Sequence, residues 1–225
     1  MSERGTEVML EGLVENLEPV KPIPPLRSVF RMLALIFGVA ALVNLLWVGR
    51  SLAPLSAWLH PPFWLLLIGL GVTAGGSMLA ALTGAIPGRE RLARMGRGTA
   101  WAGALMASLG GILGLAAADP VVARFPLGIT VACAWRACAL GAVPAAALCV
   151  YLARAFERRP GVAAIFACVG AVTLGSGLVH TSCPSRESLH LLLGHWLAPL
   201  GLALLLALPF SLLIRRLGRG SRAGS

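Results

Sequence analysis

An all-α, polytopic membrane fold, with six transmembrane helices and both termini cytoplasmic, is predicted by three observations. The 225 residues are 57% hydrophobic and only 12% charged, against about 25% charged in ordinary soluble domains, and the mean hydropathy is +0.83. The apolar residues fall into six blocks of roughly 20, the length at which a helix rising about 1.5 Å per residue crosses about 30 Å of hydrocarbon. The 19 basic residues gather at alternate connections between those blocks, as cytoplasmic connections do. Too little chain is left over for a soluble domain of ordinary size. Recognition or chemistry therefore has to sit in tails, connections or helix ends.

Residues 1–28 form an acidic tail and a Pro-rich spacer, residues 29–214 the membrane domain, and residues 215–225 a basic cytoplasmic tail. Glu3, Glu7, Glu11, Glu15 and Glu18 recur at nearly every fourth position, so on a helix they share one face, with Met9, Leu10, Leu13 and Leu17 opposite. This predicts a short amphipathic helix ending before Pro19. A uniformly negative polar face does not suit an anionic leaflet, which attracts basic helices. A basic protein partner fits better, contacted through Glu7, Leu10, Glu11, Leu13, Glu15, Leu17 and Glu18. The alternative is packing on the chain's own basic connections, Arg89 to Arg97 or Arg154 to Arg159. So short a helix is marginal in water and is expected to order on binding. The prolines that follow, Pro19, Pro22, Pro24 and Pro25, forbid helix and favour an extended spacer. With these glutamates and no apolar core before the first span, the segment does not read as a cleavable signal peptide.

The predicted spans are Val29 to Val48, Pro62 to Ile86, Thr99 to Ala118, Ile129 to Ala153, Gly161 to Val179 and Leu189 to Ile214. None contains Asp, Glu or Lys, and Arg31 and Arg136 lie near run ends where they can reach the interface. An ion path is not indicated. Gly71 with Gly75, and Gly110 with Gly114, have a spacing that permits close helix approach. The arginines and lysines at positions 4, 21, 27 and 31, 89 to 97, 154 to 159 and 215 to 222 fall on one side. Only Arg50, Arg124, Arg136 and Arg186 fall on the other, which places both termini in the cytoplasm. Basic residues that flank spans, without interleaved aromatics, do not form a nucleic-acid platform.

All four histidines, His60, His180, His190 and His195, map to the non-cytoplasmic connections or the span ends facing them. Cys133 and Cys183 join them. In an oxidising compartment these two cysteines suit a disulfide or a redox-active thiol pair. The alternatives are an inert structural role, or a metal site in which His180 and Cys183 supply an H-x2-C pair and Cys133, His190 or His195 complete it. No cofactor is expected beyond such a metal ion at the periplasmic face. Cys138, Cys149 and Cys168 lie within spans and read as small apolar fillers. No buried carboxylate is available to orient a histidine base beside Ser182, Ser185 or Ser188, Glu187 reading as a solvated loop charge, so no catalytic triad is formed and the chain does not read as an enzyme. The competing class is a small haem- or metal-binding membrane oxidoreductase or transporter, with histidines near the outer face as axial ligands.

Leu17-Glu18-Pro19-Val20-Lys21-Pro22-Ile23-Pro24, the turn Pro87-Gly88-Arg89, Cys133 before a small-residue helix, and His180, Cys183, Pro184, His190, His195 and Trp196 before and within span six follow one another along the six-span chain. In that order they resemble the NrsF-like membrane anti-sigma factors of Proteobacteria. In size and span count the chain is also similar to the myxobacterial anti-sigma factors that restrain a light-activated sigma factor. The resemblance implies sequestration of a cognate extracytoplasmic-function sigma factor at the bacterial inner membrane, with no direct nucleic-acid contact. It implies release on an envelope, oxidative, metal or light signal, with Cys133 and Cys183 on the sensing side.

Overall fold

The computed structural model describes residues 25–48, 59–117, 127–155, 159–185 and 187–223. Every long element among them is helical: α1 (Leu26–Val48), α2 (Pro61–Gly84), α3 (Glu90–Ala116), α4 (Leu127–Arg154) and α5 (Pro160–Thr181). A sixth rod follows, built of α6 (Ser188–Leu192), a π-helical turn π1 (Leu193–Leu197) and α7 (Ala198–Ala223). These make six segments long and apolar enough to cross a bilayer. The predicted amphipathic tail helix, with Glu7 to Glu18, lies outside the described residues, as do Arg50, Arg124 and Arg186.

The helices outrun the apolar blocks where charge permits. α3 starts at Glu90 rather than Thr99, because Arg91, Arg94 and Arg97 continue a helix whose backbone is satisfied internally wherever its side chains lie. Pro61 and Pro62 open α2, and Pro160 opens α5, at positions where a missing N–H costs nothing. Between α2 and α3 the Pro87-Gly88-Arg89 turn reverses the chain on a left-handed Gly88 at φ 81°, a conformation that penalises a Cβ. Glu90 Oε1 accepts from the Gly88 N–H at 3.1 Å.

α5 is the central helix, packing on α2, α4 and α7, and its flanks contribute Ala164, Cys168 and Val172 to a core shared with Leu82, Leu148, Leu152 and Ala203. Cys138, Cys149 and Cys168 are buried in this core. Outward-facing Leu35, Leu46, Trp101, Leu105, Trp135 and Leu208 are exposed, an apolar exterior that lipid solvates. Three hydroxyls inside the spans are satisfied locally: Thr73, Thr83 and Thr173 donate to the carbonyls of Gly69, Leu79 and Val169, each four residues back.

Helices α2 and α3 form the most extensive pair in the fold, but not through the expected Gly71–Gly75 spacing. Both of those glycines face open space. The seam instead runs through Gly96, Gly103 and Gly110 of α3, one every seven residues, against Ala80, Thr73 and Leu66 of α2. A Cβ on Gly96 would stand 2.6 Å from the Ala80 backbone nitrogen, and one on Gly110 2.6 Å from that of Leu66, so the two backbones touch. A seven-residue period keeps one stripe of a helix against its partner over several turns, which a single four-residue pair does not reveal. At Gly114, the other half of the second expected pair, a Cβ would instead stand 3.4 Å from Ser188 Oγ.

The two ends of the bundle differ. At one end a cavity of about 320 Å³ lies between Gly84, Glu90, Arg97, Arg159 and Phe166, bringing two of the arginine-rich connections together. At the other end gather Cys133, Cys183 and the histidines.

Candidate functional site

The second end is assembled from five elements. α4 supplies Thr130 and Cys133 in its first two turns, and α5 ends on His180. The chain then turns through Ser182 and Cys183, and the sixth rod supplies His190 from α6 and His195 from π1. Cys133 and Cys183 are each 4% exposed, and His190 and His195 are fully buried. One ligand atom from each of these four side chains lies within 4.8 Å of all the others.

The closest distances define a compact set. Cys133 Sγ is 3.9 Å from Cys183 Sγ, and both are free thiols. Cys183 Sγ is 3.2 Å from His190 Nε2, which is 3.3 Å from His195 Nε2. On its far side His190 Nδ1 meets the Thr130 hydroxyl at 2.9 Å, which turns Nε2 toward the thiols. The hydrogen bond with Cys133 pushes the Cys183 thiol below its usual range; burial opposes this, and bonds with His190 and His195 reinforce it. Cys183 is thus the thiolate-prone partner.

The sixth rod brings its two histidines together only because it is not a regular α-helix. At about 100° per residue, positions five apart on an α-helix point about 140° away from each other. Within π1 the backbone hydrogen bond spans five residues, from the Ala198 N–H to the Leu193 carbonyl, so one extra residue is accommodated in the turn. His195 consequently swings onto the face of His190, their ring centroids 5.1 Å apart at 82°. Neighbours accommodate the widened turn. Ser176 of α5 donates to the His195 carbonyl, a common way to satisfy backbone at a helix irregularity in a membrane. A Cβ on Gly194 would lie 3.3 Å from Thr130 and 3.4 Å from the His190 ring, so a bare glycine lets π1 approach α4. Trp196 anchors the turn to α3 through Nε1–H donating to Ser108 Oγ at 3.0 Å.

His180 stands apart from the four, contrary to an H-x2-C ligand pair. It ends α5 facing α2, its ring stacked on Phe63 at 4.3 Å and 24°, with Nε2 3.4 Å from the Phe63 carbonyl. Cys183, beyond the helix end, turns the other way. His180 instead buttresses the site, its ring edge-on to His195 at 5.2 Å. His60 is exposed beside the start of α2. The touching rings of His190 and His195 leave no gap for a macrocycle between that pair.

Three participants were not singled out in the sequence. Thr130 and Ser176 carry no local signal, since hydroxyls are common in spans. Asn44 does carry one, being an amide within the first apolar run. Its Nδ2 donates to Ser182 Oγ at 3.1 Å and lies 3.3 Å from the Leu178 carbonyl, tying α1 to the residue next to Cys183.

The family described as NrsF, negative regulator of sigma F, matches residues 13–215. The match begins inside the acidic segment and runs into the last span. The chain belongs to this family. No curated protein and no solved structure matches it.

Proposed function

From membership of that family, a family of negative regulators of a sigma factor, we infer that the chain is a multi-pass inner-membrane anti-sigma factor. It sequesters an extracytoplasmic-function sigma factor through its N-terminal segment. The arginine-rich end of the bundle faces the cytoplasm, and the cysteine–histidine end faces outward as the signal input. Sigma factors present basic surface to DNA, so a Glu-rich helix with an apolar stripe covers such a surface by charge complementarity and burial.

The family match over residues 13–215 carries this reading, and a route through the bundle is supplied by the Asn44–Ser182 hydrogen bond. It links the residue beside Cys183 to α1, the helix that leads directly from the N-terminal segment. An interhelical hydrogen bond in a membrane contributes on the order of 1 kcal/mol, about a fivefold change in an equilibrium. Moving a sigma factor from 99% bound to 1% bound takes about 5.5 kcal/mol. Losing this bond alone therefore does not release the partner; release needs displacement of α1 as a whole or proteolysis of the regulator.

The test is co-purification of a co-expressed extracytoplasmic-function sigma factor with the full chain and with a chain lacking residues 1–18. Loss of capture on deletion supports the reading. Capture at full strength assigns the contact elsewhere, with the arginine-lined cavity end as the next surface to alter.

A further inference from the structure

We propose that Cys133, Cys183, His190 and His195 form a closed, four-coordinate site for a divalent ion of the zinc class. The site is independent of whether the chain binds a sigma factor. A tetrahedron with metal–sulfur bonds of about 2.3 Å and metal–nitrogen bonds of about 2.05 Å has edges of about 3.8 Å between sulfurs, about 3.3 Å between nitrogens and about 3.6 Å between unlike atoms. The protein holds these pairs at 3.9 Å for the two sulfurs, 3.3 Å for the two Nε2 atoms and 3.2 Å for Cys183 Sγ with His190 Nε2. Three of the six edges thus match a tetrahedral ion, and the other three lie within 4.8 Å.

The donor chemistry selects the ion. Two sulfurs and two imidazole nitrogens suit zinc, cobalt or cadmium, whereas calcium and magnesium require oxygen ligands. On binding, each thiol loses its proton to water. Two thiolates and one dication then sum to no net charge, which a buried site of this kind demands, since unpaired charge is costly away from water. With four protein ligands no position stays open, the pattern of structural and sensing sites rather than hydrolytic ones.

The surroundings are those of a built site. The Thr130 hydroxyl at His190 Nδ1 is the outer partner that ligating histidines almost always have, whereas the buried His195 Nδ1 has no hydrogen-bond partner. The π1 turn brings His195 onto the face of His190, and such irregularities concentrate at functional positions. The ligands come from α4, the 182–183 connection, α6 and π1, so an ion would clamp three otherwise separate stretches of chain and position Ser182, the partner of Asn44. A Cys133–Cys183 disulfide is the competing fate of the thiols. It needs the sulfurs at about 2.05 Å and an external oxidant, and it leaves the convergence of both Nε2 atoms unused.

The experiment uses the full-length chain in detergent, reduced and stripped with chelator, titrated with Co²⁺ and then Zn²⁺. One equivalent of Co²⁺ should produce the visible bands of a tetrahedral ion with sulfur-to-cobalt charge transfer, and one equivalent of Zn²⁺ should erase them. Cys133→Ser/Cys183→Ser should abolish the bands. Thr130→Val, which leaves all four ligands in place, should weaken Co²⁺ binding about 10- to 100-fold, so the site is tested even if the double variant does not fold. Absence of the bands in the reduced wild-type chain overturns the proposal, as does their persistence in the folded double variant. Sigma-factor capture is a separate readout: zinc binding without capture sinks the anti-sigma reading and leaves this site standing.

Discussion

Helix α1 and the α2–α3 pair both run the depth of the bundle, yet they are held in opposite ways. The pair is joined backbone to backbone along Gly96, Gly103 and Gly110, while α1 rests on α4 and α5 through a few buried side chains, chiefly Val29 and Leu33 at one end and Asn44 at the other. Most of its surface, from Phe30 through Leu35, Val39 and Leu42 to Leu46, is exposed. In lipid there is no hydrophobic drive to press one helix on another, so attachment depends on close packing and polar contacts. By that criterion α2–α3 is scaffold and α1 is the movable element. It is also the helix that connects the N-terminal segment to the bundle.

The contrast is broken most severely by Gly103→Leu. Overpacking ordinarily costs 1–3 kcal/mol, and here the added atoms would meet the backbone at Val72 and Thr73, so a loss of about 3 kcal/mol or more is expected. A thermal melt followed by size-exclusion chromatography should show a lower transition and loss of monodisperse protein. Asn44→Leu should act on α1 alone. It removes the bonds to Ser182 and the Leu178 carbonyl, costs about 1 kcal/mol, and should raise hydrogen exchange in α1 with the α2–α3 amides unchanged. Equal exchange in both regions would show that α1 is not held at this point. Gly71→Leu is the smallest change. The position is open and on the outer face, so stability should stay within about 0.5 kcal/mol; a marked loss would mean that the outer face of α2 has a protein neighbour.

These expectations show how differently the parts of the chain could be read. The six spans were legible because the length of an apolar run is a local property, and every predicted run became a helix. The start of α3 at Glu90 was not, because Arg91, Arg94 and Arg97 interrupt hydropathy without interrupting backbone hydrogen bonding. Gly71–Gly75 misled because a four-residue spacing is frequent in a chain with 27 glycines, and only the partner helix decides which glycines are approached. At the site, the clustering of Cys133, Cys183, His190 and His195 at one end followed from their positions in the chain. His180 looked equally eligible. It is excluded by the direction its ring takes at the end of α5, toward Phe63.

By itself the sequence determined that the chain makes six apolar helices, and that Cys133, Cys183 and the imidazoles share one end while most arginines share the other. Those properties depend only on composition along the chain and on alternation from span to span. Tertiary structure decided which side chains meet. The meeting depends on helix phase, which one extra residue in π1 shifts enough to bring His195 beside His190, and on how closely neighbouring backbones pack, which let α2 and α3 lock and left α1 tethered through Asn44.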